Sequence, residues 1–266
     1  MEFLPEECIA AILSRTTPVD VARLSVVSKT FCSAANSDVV WKHFLPSEFK
    51  SIVSQSPSLA NAPSKKALYL ALSDHPIIIY EGKKSLQLDK KSGKKCYMLG
   101  VRDLFIASGD DERYWCYWKN FKGSRFPEVA KLRYVWWLGI RGMINTHFLS
   151  PNTQYGAFLV FKIKHYSYEF RDYPVELSLK NVCSGQSMTK NVCLWDPYLD
   201  GRRPHYRVEG LQCPSVRSDG WLEIEMGEFF NSGLEDEDLQ MSVTEMQDYK
   251  SGLILEGIEV RPKKHN

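Results

Sequence analysis

The sequence predicts an α+β protein in two parts, a small all-α helical module followed by an antiparallel β-sandwich. Three observations carry this. Apolar residues in the first forty-odd positions recur at helical spacing and are punctuated by prolines at helix starts. Beyond residue 76 the apolar period falls to about two, in short runs rich in Val, Ile, Phe and Trp. Few long helical patterns interrupt those runs, which favours packed antiparallel sheets over alternating strands and helices. At 266 residues the chain has room for one small and one mid-sized domain, and its 44% hydrophobic and 12% aromatic content makes it globular rather than disordered.

Pro5 suits a first helical turn, where its missing N–H costs nothing, and Glu6 and Glu7 sit at the positive end of the helix dipole. Ile9, Ile12 and Leu13 then form one apolar stripe. Thr16, Thr17 and Pro18 end that helix, and Pro18 starts a second with Val21, Leu24 and Val27 on its apolar face. Ser37 or Asp38 caps a further short helix carrying Val39, Val40, Trp41 and Phe44. Residues 51–63 are rich in Ser, Ala, Asn and Pro, as a linker is, and Ser64 caps a helix carrying Ala67, Leu68, Ala71 and Leu72. Strands are expected at 76–80, 158–164, 175–179, 221–226 and 253–260, the last bent at Gly257. The expected boundaries are 1–46 for the helical module, 47–75 for a linker with its short helix, and 76–264 for the sandwich.

A formal net charge of +2 gives no bulk signal for nucleic-acid binding, and Lys83-Lys84, Lys90-Lys91, Lys94-Lys95 and the run 261–264 read as solvated loops or tail. The 7 cysteines are odd in number, form no Cys-x-x-Cys pair and have no His at zinc-ligand spacing, so neither a metal nor another cofactor is expected. No secretory leader, bilayer-length apolar run or Asn-x-Ser/Thr sequon is visible. The expectation is therefore a reducing compartment, nucleus and cytoplasm, with neither membrane nor nucleic acid as partner.

The helical head holds more apolar surface than so small a unit buries alone, which points to a partner. Its order of phrases, Leu4-Pro5-Glu6, Ile12-Leu13, Pro18-Val19-Asp20, Val27-Ser28-Lys29 and a closing Trp41, resembles the F-box. That module holds the Skp1 adaptor, and through it cullin 1, in SCF ubiquitin ligases. The resemblance implies adaptor contact through Leu4, Pro5, Ile9, Ile12, Leu13, Pro18, Leu24, Val27, Ser28 and Lys29.

A second set of phrases runs in order through the β-rich part: Gly93-Lys94-Lys95-Cys96-Tyr97, Arg102-Asp103-Leu104, Arg113-Tyr114-Trp115, Tyr134-Val135-Trp136-Trp137-Leu138, Ser218-Asp219-Gly220-Trp221 and Gly257-Ile258-Glu259-Val260. They resemble the phloem protein 2 lectins, which include the tobacco chitin-oligomer lectin, and head and tail together are similar to the B group (PP2-B) of plant F-box proteins of that type. The resemblance implies a lectin-like sandwich for N-acetylglucosamine-containing glycans. It places Trp115 at one of the family's two sugar-stacking tryptophans and Ser108 where the other stands. Tyr114, Tyr117 and Trp118 lie near, as replacement platforms or as core. By composition alone Trp136, Trp137 and Trp221 are expected to be packing residues, and Asp110, Asp111 and Glu112 a solvated loop.

No phosphate loop, zinc helix or nucleophile elbow is present, and Glu223 and Glu225 lie side by side on one strand face rather than across a cleft. The resemblances together imply a non-catalytic substrate receptor, in which the head docks Skp1 and the sandwich recruits a client protein or glycoprotein. A receptor of this kind acts by raising effective concentration. The rival expectation is a nucleocytoplasmic lectin or protein-interaction module independent of any ligase.

Overall fold

A computed structural model describes residues 4–164, 169–195 and 207–263, so Lys264, the end of the expected sandwich and of the last basic run, lies outside the described residues. The chain divides into two compact units, one of residues 1–79 and 86–96, the other of residues 80–85 and 97–266.

The first unit is built of short helices: α1 (Glu6–Leu13), α2 (Pro18–Leu24), α3 (Lys29–Asn36), α4 (Asp38–Phe44), α5 (Phe49–Ser54), α6 (Pro57–Ala60) and α7 (Lys65–Asp74). Each boundary has a local cause. Thr17 Oγ1 accepts from the Asp20 N–H ahead of Pro18, Ser28 caps α3 through Phe31 N, Ser37 caps α4 through Val39 N, and Ser64 caps α7 through Ala67 N. The core collects Ile9, Leu13, Val21, Ala34, Val40, Trp41, Tyr69 and Leu72. Trp41 anchors it: its indole N–H donates to the Ala35 carbonyl at 2.7 Å, and its ring meets Phe44 at 5.7 Å and Tyr69 at 5.1 Å. The segment expected as linker thus carries α5, α6 and α7, and α7 contributes Leu68, Tyr69 and Leu72 to the core.

Strands β1 (Ile77–Ile79), β2 (Lys84–Leu88), β3 (Lys95–Gly100), β4 (Phe105–Ile106), β5 (Trp115–Lys119), β6 (Glu128–Leu132), β7 (Leu138–Asn145) and β8 (Thr153–Ile163) follow. After a turn of helix, α8 (Glu169–Asp172), come β9 (Val175–Asn181), β10 (Ser187–Val192), β11 (Ser215–Val216), β12 (Leu222–Asn231), β13 (Asp238–Glu245) and β14 (Leu253–Pro262). In the second unit one antiparallel sheet runs β3-β14-β8-β12-β11, with β6 and then β5 branching from β14, and the other runs β10-β9-β13-β7-β4. The inner faces meet closely. A Cβ on Gly142 of β7 would touch Leu99 of β3 and Ile258 of β14, and one on Gly227 of β12 would touch Leu179 of β9. Leu239, Met241, Val243 and Glu245 alternate inward along β13, as a strand with one buried face requires.

The expected bend in the last strand is a bulge: the β14–β8 register shifts between Leu255 and Gly257. Any side chain at Gly257 would strike the Leu99 backbone carbonyl, so only glycine allows β3 to approach here.

Candidate functional site

Six of the residues implied for adaptor contact, Leu4, Pro5, Ile12, Val27, Ser28 and Lys29, are exposed on the helical unit, and Leu24 is half-buried. Ile9, Leu13 and Pro18 are buried and hold the helices together. This division follows from α1 itself, where Ile9 and Leu13 are one turn apart and face inward while Ile12 stands 51% exposed. The structure adds Val26 and Val39 to the exposed set. Val39 was legible as one of two adjacent valines on α4, where Val40 takes the buried place, since neighbouring positions on a helix cannot share a face, whereas Val26 and Val27 lie in the turn after α2 and are both exposed. The unit therefore presents Leu4, Ile12, Val26, Val27 and Val39 to solvent, apolar side chains without a partner inside it.

In the sandwich the implied sugar residues separate. Trp115 on β5 is 1% exposed, so its faces are closed to a stacking sugar, and its indole N–H has no hydrogen-bond partner among the described residues. Trp118 lies on the opposite face of the same strand, half-buried, stacked on Phe121 at 5.9 Å with the Lys131 ammonium 4.3 Å over its ring. Ser108 is exposed in a tight left-handed turn (φ 57°) closed by the Gly109 N–H to Ile106 carbonyl bond. The neighbouring Asp111 carboxylate, bound by the Arg113 guanidinium and backbone N–H, is held below the usual carboxylate range.

Tyr114 is the implied residue that the structure brings into a larger assembly. Its ring meets Tyr134 at 5.4 Å, Tyr134 stacks on Tyr249 at 5.9 Å, and Trp136 meets Tyr249 edge-on at 6.1 Å. The backbone explains the display. Val135 and Lys250 exchange both backbone hydrogen bonds (2.9 and 2.7 Å), which turns Val135 inward and Tyr134 and Trp136 outward. Beneath lies a fully buried ion pair, Lys250 Nζ at 2.8 Å from Glu245 Oε2, at contact distance although not aligned as a hydrogen bond. The expectation that Trp136 and Trp137 are packing residues is therefore corrected: Trp136 is 70% exposed and Trp137 is exposed beside Gly139 of β7. Trp221 does pack, buried with its N–H on the Gly123 carbonyl at 2.8 Å.

Glu223 and Glu225 are held by cations rather than facing a cleft. Glu223 pairs with Arg217 (2.9 Å) and Arg261 (2.7 Å), and Glu225 with Lys263 (2.7 Å). Glu259 joins Arg125, Arg217 and Arg261. Burial opposes its ionisation, but the three guanidinium groups outweigh burial and hold the carboxyl at about 2. Among the described residues no group of three or more His, Cys, Asp or Glu is placed to hold a metal, and no helix is long and apolar enough to cross a membrane.

The chain thus has a helical module with uncovered apolar side chains, followed by a sandwich with an aromatic outer face. Comparison with known families makes this specific. The F-box-like family matches residues 1–47 and the phloem protein 2 family residues 94–262. In Arabidopsis thaliana, F-box protein PP2-B10 is 40% identical over 99% of this chain and 94% of its own length. F-box protein At2g02240 is 44% identical over 99% and 80%, and F-box protein VBF 40% identical over 99% and 100%. The chain belongs to the PP2-B group of F-box proteins, whose role is that of a substrate adaptor.

Proposed function

We propose that this chain is the substrate-recognition subunit of an SCF-type ubiquitin ligase. Its helical unit docks an Skp1-like adaptor, and through it cullin 1, while its sandwich recruits a client in the nucleus and cytoplasm. The observation that carries the reading is the exposure of Leu4, Ile12, Val26, Val27 and Val39 on a unit whose own core is already closed by Trp41 and Tyr69. The chain supplies no chemistry; it holds the client near the charged thioester.

On the client side, the outer face of Tyr114, Tyr134, Trp136 and Tyr249 takes the part that Trp115 was expected to play. Ring faces suit the C–H face of a pyranose, and N-acetylglucosamine-containing glycans on a glycoprotein are the ligand class. The same face supports a second reading, a lectin acting apart from any ligase.

Two measurements on the full chain test these statements. Co-purification with an Skp1-like adaptor and cullin 1 is expected, and its absence would overturn the ligase reading. On a glycan array, Trp136→Ala is expected to abolish binding to N-acetylglucosamine-containing glycans while leaving the fold intact, since Trp136 stands in solvent. Wild-type silence on the array would remove the sugar and leave a protein surface as the recognised feature.

A further inference from the structure

The helical unit contains a cavity of about 360 Å³. Its floor is Val21, Ala35, Trp41 and Tyr69, all buried, and it opens to solvent at its rim. Its rim carries Lys66, Lys90 and Lys91, and no acidic side chain lines it. Lys90 is neutralised by Asp74 at 2.6 Å. Lys66 is not: its ammonium donates to the neutral amide oxygen of Asn36 at 2.8 Å and lies 5.5 Å over the Trp41 ring. Lys91 has no carboxylate partner among the described residues.

The rim is built, not incidental. The Tyr69 hydroxyl donates to the carbonyls of Asp89 (3.1 Å) and Lys90 (3.3 Å). Asp89 Oδ1 in turn accepts from the backbone N–H groups of Lys91 (3.2 Å) and Ser92 (2.8 Å), and the Lys91 carbonyl accepts from Val19 N. These bonds fix the turn that presents the lysines above the aromatic floor.

We propose that this cavity binds a small amphipathic organic anion, with an apolar body of one or two rings against Trp41 and Tyr69 and a carboxylate between Lys66 and Lys91. The volume lies at the lower end of small-molecule sites, and the lining has their character, mostly apolar with a few converging polar groups. Two ammonium groups without a carboxylate beside an apolar recess select an anion over a neutral or cationic ligand, and the partial exclusion of water strengthens each charge-assisted bond.

The test is calorimetric titration of the full chain with 2-naphthoate and with its neutral analogue 2-naphthylmethanol. Saturable one-to-one naphthoate binding is expected, with the alcohol about tenfold weaker or more. Lys91→Glu and Lys66→Gln are each expected to weaken naphthoate by about tenfold. Ala22→Trp, which places an indole at the rim from an exposed position on α2, is expected to eliminate it. Circular dichroism and the urea midpoint confirm that each variant is folded. Absence of saturable binding into the millimolar range by the folded wild type overturns the proposal, and so does naphthoate binding that neither lysine variant nor Ala22→Trp changes.

Discussion

Replacing Ile12 and Val27 together by aspartate separates docking from folding. Full burial of an Ile or Val side chain is worth about 1.5–3 kcal/mol. Ile12 is 51% and Val27 63% exposed, so each has roughly half to two-thirds of that, about 1–2 kcal/mol, still to gain on contact with a partner. The pair therefore contributes about 2–4 kcal/mol, and its loss weakens the adaptor about 30- to 1,000-fold. Ile12 and Val27 are also part-buried in the free protein, and the loss of that remainder is expected to lower the unfolding free energy by about 1–3 kcal/mol, which leaves the double variant folded. The assay is surface plasmon resonance of the full-length double variant against an immobilised Skp1-like adaptor, with urea unfolding in parallel. Leu13→Asp is the contrast, since Leu13 is wholly buried and its loss of affinity should come with loss of the fold. Adaptor binding within threefold of wild type by a folded double variant would refute the assignment of this face.

Acid provides a second test. Glu259 titrates near 2 in the folded protein against an ordinary 4.5, so its contribution is fully present above about pH 4.5 and is lost as pH falls through 2. That shift corresponds to about 3 kcal/mol. Denaturant titrations should show this loss between pH 4.5 and 2 in the wild type, whereas Glu259→Gln, which leaves Arg125, Arg217 and Arg261 facing one another, should already be destabilised at pH 7 by about 3 kcal/mol or more. Under the aromatic face, Lys250→Met strands Glu245 in the interior and should cost about 3–5 kcal/mol, while adding Glu245→Leu should recover most of it. An equal cost for the single and double variants in urea melts would show that packing, not the charge pair, supports that face.

The helical unit was legible because its signals are local. Thr17-Pro18, Ser37 and Ser64 each satisfy an N–H within three residues, so caps and starts can be read without knowing the fold. The strand at 253–260 and its bend were equally plain, since Gly257 stands inside a run dominated by Leu, Ile and Val. Strand β13 was overlooked although Leu239, Met241 and Val243 alternate, the polar residues between them diluting the signal. The aromatic face was misread for a different reason. Which of Val135, Trp136 and Trp137 turns inward is set by the bridge from Val135 to Lys250, more than a hundred positions away. Composition favours burying a tryptophan, and here the smaller valine takes the inward place. Trp115 shows the reverse: its charged neighbours Asp110, Asp111 and Glu112 read as an open loop, yet the ring starts β5 and faces the interior.

The chain leaves the helical unit at residue 80 and re-enters it from 86 to 96. The returning hairpin is stitched in by Tyr69 to Asp89, by Gln87 to the Ser73 carbonyl at 2.9 Å and by Lys95 to Glu48 at 2.8 Å, and Gly93 lies against Pro18. In this chain the docking module is consequently not a portable cassette. Grafting residues 1–75 alone onto another recognition domain would leave behind the turn that Tyr69 holds, whereas a graft carried through residue 96 would transplant the whole unit together with the opening strands of the next. Exchange of recognition domains among such adaptors would accordingly keep its seam downstream of that hairpin rather than at the serine-rich stretch that resembles a natural joint.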